Sequence, residues 1–133
     1  MAKDGRQYRT QQTHYLRKSI RFDSAPSGAQ IPIGTLPPGA LVTSTVVAVS
    51  EAFNASTGNA LIVGTAGDDD ALVDINGVNE AAVGSTRVAP ATLAGLVASG
   101  ADTTVYAKYS QSGTAATAGR ATILVEFAVD NDG

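Results

Sequence analysis

The sequence predicts an all-β protein, with antiparallel strands arranged as a sandwich or a barrel, and three observations support this. Short segments rich in β-branched residues recur along the chain at 19–23, 30–36, 41–50, 60–65, 71–77, 103–110 and 120–130. Gly, Pro, Asn and Asp cluster between them, and no segment sustains the 3.6-residue period of a long helix. The apolar residues are mainly Ala, Val, Leu and Ile, with three Phe, four Tyr and no Trp, and small branched side chains pack well on a pleated sheet.

The first two segments are short and end in clear turn signals. Ile20 and Phe22 share one face of the first segment. The second contains Pro32, which cannot donate a hydrogen bond to a β-ladder, so we expect an edge strand or a bulge there. A turn follows at 37–40, because proline presets φ and glycine allows positive φ.

The third segment, 41–50, has no clearly polar face. Regular alternation places Val42, Ser44, Val46 and Ala48 on one side and Leu41, Thr43, Thr45, Val47 and Val49 on the other. A sheet with one face in water alternates more sharply than this. We therefore expect that both faces are covered within the fold, or that a partner covers the outer one.

The later segments alternate with long connections. The segment at 71–77 ends in Asn-Gly, a favoured hairpin turn. Residues 78–103 are rich in Ala, Gly and Ser and poorly periodic, so we expect mostly loop, with room for one helical turn at 89–102. Residues 111–119 predict a flexible connection. The last segment alternates most cleanly, with these residues inward: Ile123, Val125, Phe127 and Val129.

Length and composition narrow the class of protein. A chain of 133 residues predicts one domain that can bury a core without disulfides. The absence of cysteine excludes disulfides and cysteine-based zinc sites and favours assembly inside a cell. No apolar run approaches the roughly 20 residues of a membrane helix. The N-terminal segment lacks the apolar middle of a signal peptide, so we expect a soluble chain with no membrane partner.

The charge is distributed unevenly along the chain. Residues 1–21 carry six basic residues and one acidic residue, whereas the remainder carries three basic and eleven acidic residues. The first part therefore has a net charge of +5 and the rest −8. A basic arm on an acidic body indicates an arm that docks on an acidic surface.

We interpret residues 1–18 as an extended N-terminal arm and residues 19–133 as the folded domain, because the arm shows neither helical nor strand periodicity. The candidate partner-binding residues in and beside the arm are Lys3, Arg6, Tyr8, Arg9, Tyr15, Arg17, Lys18 and Arg21. Arginine interleaved with tyrosine also suits nucleic acid. The charge of the body would repel a long polyanion, so we favour an arm that lies across a neighbouring subunit. A solvated tail is the other alternative.

No motif in the chain carries a recognisable catalytic chemistry. His14, the single histidine, lies in the polar arm without a nucleophile or an orienting partner nearby in sequence. Phosphate-binding loops and the GxSxG nucleophile motif are absent. The carboxylate cluster Asp68-Asp69-Asp70, with Asp74 nearby, lacks the spacing of a calcium loop and is interpreted as a solvated turn. A weak divalent-cation site or a contact with a partner's lysine is the alternative. We expect neither an enzyme nor a protein with a metal or a cofactor.

Three segments together carry a resemblance to a known family: IPIGTLPPGALVTSTVVAVSEAFN (31–54), ALIVGTAGDDDAL (60–72) and TTVYAKYSQSGTAATAGRATILVEF (103–127). They resemble the small jelly-roll proteins of tailed-bacteriophage particles, in particular head decoration or cement proteins. Such phage sequences often have a GTLPAGA turn before a Val/Thr-rich strand, then an IGTAxDPDAL strand and loop, then TTVYA. Pro38 and Asp69 depart from that pattern. The resemblance implies a jelly-roll β-sandwich, with the arm outside the matched region.

The resemblance also implies a function. It implies a structural virion protein on the outer surface of the capsid, made in the host cytoplasm, that binds across subunits of the major capsid protein. Such a protein would stabilise the shell through many weak contacts and would form a homodimer or homotrimer. The alternative is a tail- or fibre-associated module that binds host glycans, for which the body offers only Tyr106 and Tyr109 as surface aromatics.

Overall fold

The computed structural model describes residues 13–75, 77–90, 97–98 and 100–129. The strands in these residues are β1 (Thr13–Arg21), β2 (Gln30–Leu36), β3 (Leu41–Glu51), β4 (Gly58–Thr65), β5 (Gly84–Val88), β6 (Thr103–Ser112) and β7 (Arg120–Ala128). None of the described residues belongs to a helix long and apolar enough to cross a membrane.

The strands form two antiparallel sheets that pack face to face. One sheet has four strands in the order β1-β7-β3-β5, and the other has three in the order β2-β6-β4. Odd- and even-numbered strands therefore alternate between the sheets along the chain. The antiparallel β-sandwich predicted from the sequence is confirmed. An eight-stranded jelly roll stays a prediction, because the described residues hold seven strands.

The core lies between the inner faces of the two sheets. The alternation predicted for β7 is confirmed at Ile123, Val125 and Phe127, which are buried. Facing them, the three-stranded sheet contributes Leu61, Val63, Val105, Ala107 and Tyr109. Burial of each large aliphatic side chain contributes about 1.5–3 kcal/mol to stability. These small residues give a thin core, as the composition indicates.

The alternation predicted for β3 is wrong beyond its second residue, because the strand contains a β-bulge. Val42 is opposite Phe127, but the next paired residue, Ser44, is opposite Glu126, so Thr43 is extra. An extra residue exchanges the two faces of a strand. Val42 therefore points inward before the bulge, and Thr45, Val47 and Val49 point inward after it.

β1 begins earlier than the sequence indicates. Residues 13–18, placed in the arm by the sequence analysis, pair with β7 and form the first part of a nine-residue edge strand. His14 stacks on Phe127 with ring centroids 5.7 Å apart, and Leu16 packs over Gly34. The alternation is weak because an edge strand leaves much of its surface in water. Residues 1–12 of the predicted arm lie outside the described residues.

Two predictions between β4 and β6 also differ from the structure. The segment at 71–77 does not form a strand; Val73 makes a single bridge to Val63 of β4. β5 lies in the region predicted as loop, since its residues GSTRV include a glycine and few apolar side chains. The helical turn allowed at 89–102 falls largely on residues outside those described.

A second cluster of buried side chains surrounds Phe53, just beyond the end of β3. Phe53 is fully buried and contacts the ring of Tyr109, with centroids 4.7 Å apart. Tyr109 donates a hydrogen bond to Asn59 Oδ1 at 2.5 Å. Gly119 has φ +148°, and a Cβ there would overlap the Phe53 ring. The buried Glu80 accepts a hydrogen bond from the Leu61 N–H at 2.9 Å, so its carboxylate holds its loop against β4.

Candidate interaction surface

The outward-facing residues of the four-stranded sheet form one continuous surface, which we call the outer sheet face. Its central row crosses all four strands as Arg17, Leu124, Val46 and Arg87, each opposite the next. A parallel row consists of Ser19, Thr122, Ala48 and Ser85. Opposite residues in an antiparallel pair lie on the same side of the sheet. Between Arg17 and Arg87 these two rows therefore carry uncharged side chains that are small or apolar.

A polar network lies beside the central row. Ser44 donates a hydrogen bond to Glu126 Oε1 at 2.5 Å, and Arg87 Nη1 donates to Ser44 Oγ at 2.6 Å. Arg87 also forms an ion pair with Glu126. The hydrogen bond from Ser44 and then the contact with Arg87 lower the pKa of the Glu126 carboxyl. The network keeps Glu126 ionised and holds Arg87 across the strands.

A basic corner occupies the end of the outer sheet face formed by β1 and β7. Arg21 lies directly opposite Arg120, and Arg120 lies opposite Glu51 of β3. Arg21 Nε is 3.6 Å from Asp23 Oδ1, in a pair whose side chains are both more than half exposed. Like charges directly opposite each other destabilise a sheet. The corner therefore holds two arginines opposite each other, with Asp23 and Glu51 as their acidic neighbours.

The structure brings together only some of the residues predicted to bind a partner. Tyr15, Arg17 and Arg21 are exposed on the outer sheet face. Lys18 is also exposed, but it is opposite Ile123 and therefore lies on the core side of β1. A charge on the inner side of an edge strand is a known barrier to edge-to-edge pairing. Four predicted residues lie outside the described part of the chain: Lys3, Arg6, Tyr8 and Arg9.

Sequence reasoning missed several members of the outer sheet face. Leu124 and Glu126 could have been identified, because the alternation of the last segment predicts that they point outward. An outward-facing leucine indicates a contact surface. Arg87 could not be found, because its strand is short and weakly patterned. The sequence predicts that Val46 and Ala48 share a face of β3. Only the bulge at Thr43 shows that this face points outward.

The acidic loop at Asp68–Asp70 lies on the opposite side of the sandwich. Its carboxylates are exposed, and one oxygen of each lies within 4.8 Å of the others, close enough to share a cation. Asp69 instead forms an ion pair with Lys108 of β6 at 2.6 Å. A hydrogen bond to the Asp68 carboxylate, then partial desolvation and the negative charges of Asp68 and Asp69, raise the pKa of Asp70. Gly64 packs against the loop, and the Thr65 N–H donates to the Asp68 carbonyl at 2.8 Å.

A groove of about 560 Å³ lies at one end of the sandwich. Its apolar lining includes Leu36, Leu72, Val97 and Tyr106. Asp102 is the one ionisable acid or base among its described lining residues apart from the tyrosine phenol. This lining offers no paired general acid and base of the kind that hydrolytic sites use.

The fold and the exposed chemistry define a small antiparallel β-sandwich whose accessible features are sheet faces and a charged loop. No protein-family model matches the chain, and no curated protein matches it. Three solved structures, all described as phage capsids, contain chains with a similar fold. The comparison therefore relates this sandwich to chains found in bacteriophage capsids.

The similarity extends over nearly the whole chain. A chain of the cyanophage Pam1 capsid asymmetric unit aligns with a TM-score of 0.72 and 19% identity, covering 98% of this chain and 93% of that one. A chain of the acid-stable capsid of Helicobacter pylori bacteriophage KHP30 aligns with a TM-score of 0.64 and 15% identity, covering 90% of each. The Ralstonia phage GP4 capsid gives a TM-score of 0.52 at 16% identity, covering 87% of this chain and 86% of that one.

Proposed function

We propose that this protein is a structural component of a bacteriophage virion that decorates the outer surface of the capsid. In this role it binds across subunits of the major capsid protein and stabilises the shell. The observation that carries the proposal is the fold shared with the Pam1 capsid chain over 98% of this chain. At 19% identity that similarity concerns the fold, so the role in decoration is inferred from further features.

The size of the matched chains supports decoration. The alignments cover 86–93% of those chains, so each matched chain is itself about as small as this one. A sandwich of this size, with an exposed sheet face and a basic segment, suits a protein that binds to an existing shell. Many copies bound to one particle convert a modest contact into large stabilisation of the shell.

The basic N-terminal segment is proposed to extend the contact. Its residues Lys3, Arg6, Tyr8 and Arg9 would bind an acidic surface of a neighbouring subunit, while Tyr15, Arg17 and Arg21 bind from β1. We propose further that the protein acts as a homodimer or homotrimer, which would hold two or three such segments together. Effective concentration then strengthens the binding of each segment after the first.

Binding to undecorated capsids tests the proposal. The full chain is compared with a variant that lacks residues 1–12 and keeps β1. A longer deletion, to residue 18, would remove most of an edge strand of the sandwich. We expect the full chain to saturate capsids. The shortened chain should bind more weakly, with an unchanged circular dichroism spectrum.

Equal affinity of the two chains would refute the contribution of the N-terminal segment. A full chain that does not bind capsids at all would refute decoration. In that case, binding to a glycan array would support the tail- or fibre-associated module instead.

A further inference from the structure

We propose that the outer sheet face is the docking surface for the capsid shell, and that the shell presents carboxylates to Arg17 and to the Arg21–Arg120 pair. This inference rests on the proposed function and adds to it the contact face and the chemistry of the partner. Two observations support it: the uncharged side chains of the two inner strands in both rows, and the arginines at the margin.

The centre of the outer sheet face has the composition of an interface core. Val46, Leu124 and Ala48 point outward and are half-buried, where an open sheet in water would carry mostly polar residues. The row beside them carries hydroxyl groups, and Ser19 and Thr122 hydrogen-bond each other at 3.0 Å. Interface cores are depleted in charge, with arginine and tyrosine enriched around them. Arg17 and Tyr15 occupy that position at the β1 margin.

Among the described residues Arg17 has no acidic partner, and Arg21 has the exposed Asp23 at 3.6 Å. The Arg17 guanidinium makes no ion pair or hydrogen bond within the described part of the chain, whereas Arg87 is matched by Glu126. Arg21 and Arg120 lie opposite each other, an arrangement that costs stability in the free protein. Carboxylates on a partner would remove that cost and would accept bidentate hydrogen bonds.

A second copy of this chain fits the outer sheet face poorly. Two-fold apposition of the same face would bring arginine margins toward arginine margins. The acidic loop at Asp68–Asp70 could supply carboxylates, but it contacts Lys108 on the other side of the sandwich. Contacts between opposite faces of successive copies produce an open stack and not a closed oligomer.

Nucleic acid also fits poorly. Binding of single or double strands depends on a row of cations along the backbone, often with aromatic rings for stacking. The two central rows hold small, apolar and hydroxyl side chains, with cations only at their ends. An acidic protein surface is the partner that matches both the centre and the margin.

The first experiment compares Arg17→Glu with Lys18→Glu in the full chain. The two positions are adjacent and exposed and undergo the same change of charge, but they lie on opposite sides of β1. We expect Arg17→Glu to weaken binding to undecorated capsids by about tenfold or more, because like charges then meet across the interface. Lys18→Glu should stay within about twofold of the unchanged protein, since it faces away from the shell.

The second experiment compares Val46→Glu with Ile62→Glu. Both residues are half-buried and point outward, Val46 from an inner strand of the four-stranded sheet and Ile62 from an edge strand of the other sheet, where it lies beside Lys108. We expect Val46→Glu to abolish saturation of the capsids and Ile62→Glu to leave it intact. Thermal unfolding of each variant confirms that the sandwich is folded in the binding assay.

The outcomes separate this inference from the proposed function. If the unchanged protein does not bind capsids, the proposed function fails. If it binds and the two members of each pair behave alike, decoration stands and the outer sheet face is the wrong surface. If Arg17→Glu or Val46→Glu changes the mass of the free protein in analytical ultracentrifugation, the outer sheet face joins copies of this chain and the inference is overturned.

Discussion

Replacement of Thr45 by valine should stabilise the protein. Thr45 is fully buried on the inner side of β3, and its Oγ1 has no hydrogen-bond partner among the described residues. A buried polar group without a partner costs about 1–3 kcal/mol relative to its hydrated state. Valine has nearly the same shape and adds an apolar group to the core. We expect Thr45→Val to raise the free energy of unfolding by about 1 kcal/mol and Tm by about 4 °C.

The assay is urea and thermal unfolding followed by circular dichroism, with Ser44→Ala as the matched control. Ser44 is the adjacent residue in β3 and is also buried, but its hydroxyl accepts from Arg87 and donates to Glu126. Removal of a satisfied hydroxyl should lower stability, so the two neighbouring changes should have opposite signs. A lower Tm for Thr45→Val would refute the reasoning, because it would mean that the hydroxyl is paired, for example with an internal water.

Three further changes test other features of the fold. Gly119→Ala should lower the free energy of unfolding by about 2 kcal/mol or more, since φ is +148° and the new Cβ meets the Phe53 ring; an unchanged urea midpoint would contradict this. Gly64→Ala should displace the acidic loop and speed hydrogen exchange at the Thr65 N–H, which now donates to Asp68; unchanged protection would contradict it. Glu126 has a lowered pKa when folded, so its contribution exists above the ordinary glutamate range and disappears as pH falls through the folded-state pKa. The stability difference between the unchanged protein and Glu126→Gln should therefore shrink in acid, and urea titrations in which it stays constant would count against the network.

The sequence was sufficient to predict the strands whose alternation is strict and whose two faces differ. β7 is the best case, because Ile123, Val125 and Phe127 face the core while the residues between them face outward. The turn before β3 is another, since the Ala40 N–H donates to the Pro37 carbonyl and Gly39 has φ +76°. In both cases local chemistry and tertiary packing favour the same conformation.

The sequence was insufficient where the pattern depends on pairing between distant strands. Thr13, His14 and Tyr15 carry little strand signal, and they become part of β1 only because β7 offers an unpaired edge. The long loop region hides β5 for the same reason, since Thr86 and Arg87 are ordered by pairing with β3. Edge strands draw their stability from a neighbour and less from their own apolar face.

The bulge at Thr43 explains why 41–50 has no clearly polar face. Before the bulge Val42 faces the core, and after it Thr45, Val47 and Val49 do, so the inner face collects apolar residues from both alternation sets. Val42 is thereby separated from Ser44, Val46 and Ala48, which the sequence predicts on the same face. Ser44 moves outward to join the network with Glu126 and Arg87.

The same bulge gives the outer sheet face its apolar centre. Without the extra residue, Val46 and Ala48 would point inward with Val42, and Thr45, Val47 and Val49 would be outside. With it, Thr45, Val47 and Val49 point into the core. Val46 and Ala48 then remain on the outer sheet face, Val46 between Leu124 and Arg87 and Ala48 in the next row. A strand without a polar face can be covered by the protein's own second sheet or by a partner. The second sheet covers the inner face of β3, and we propose that a partner covers its outer face.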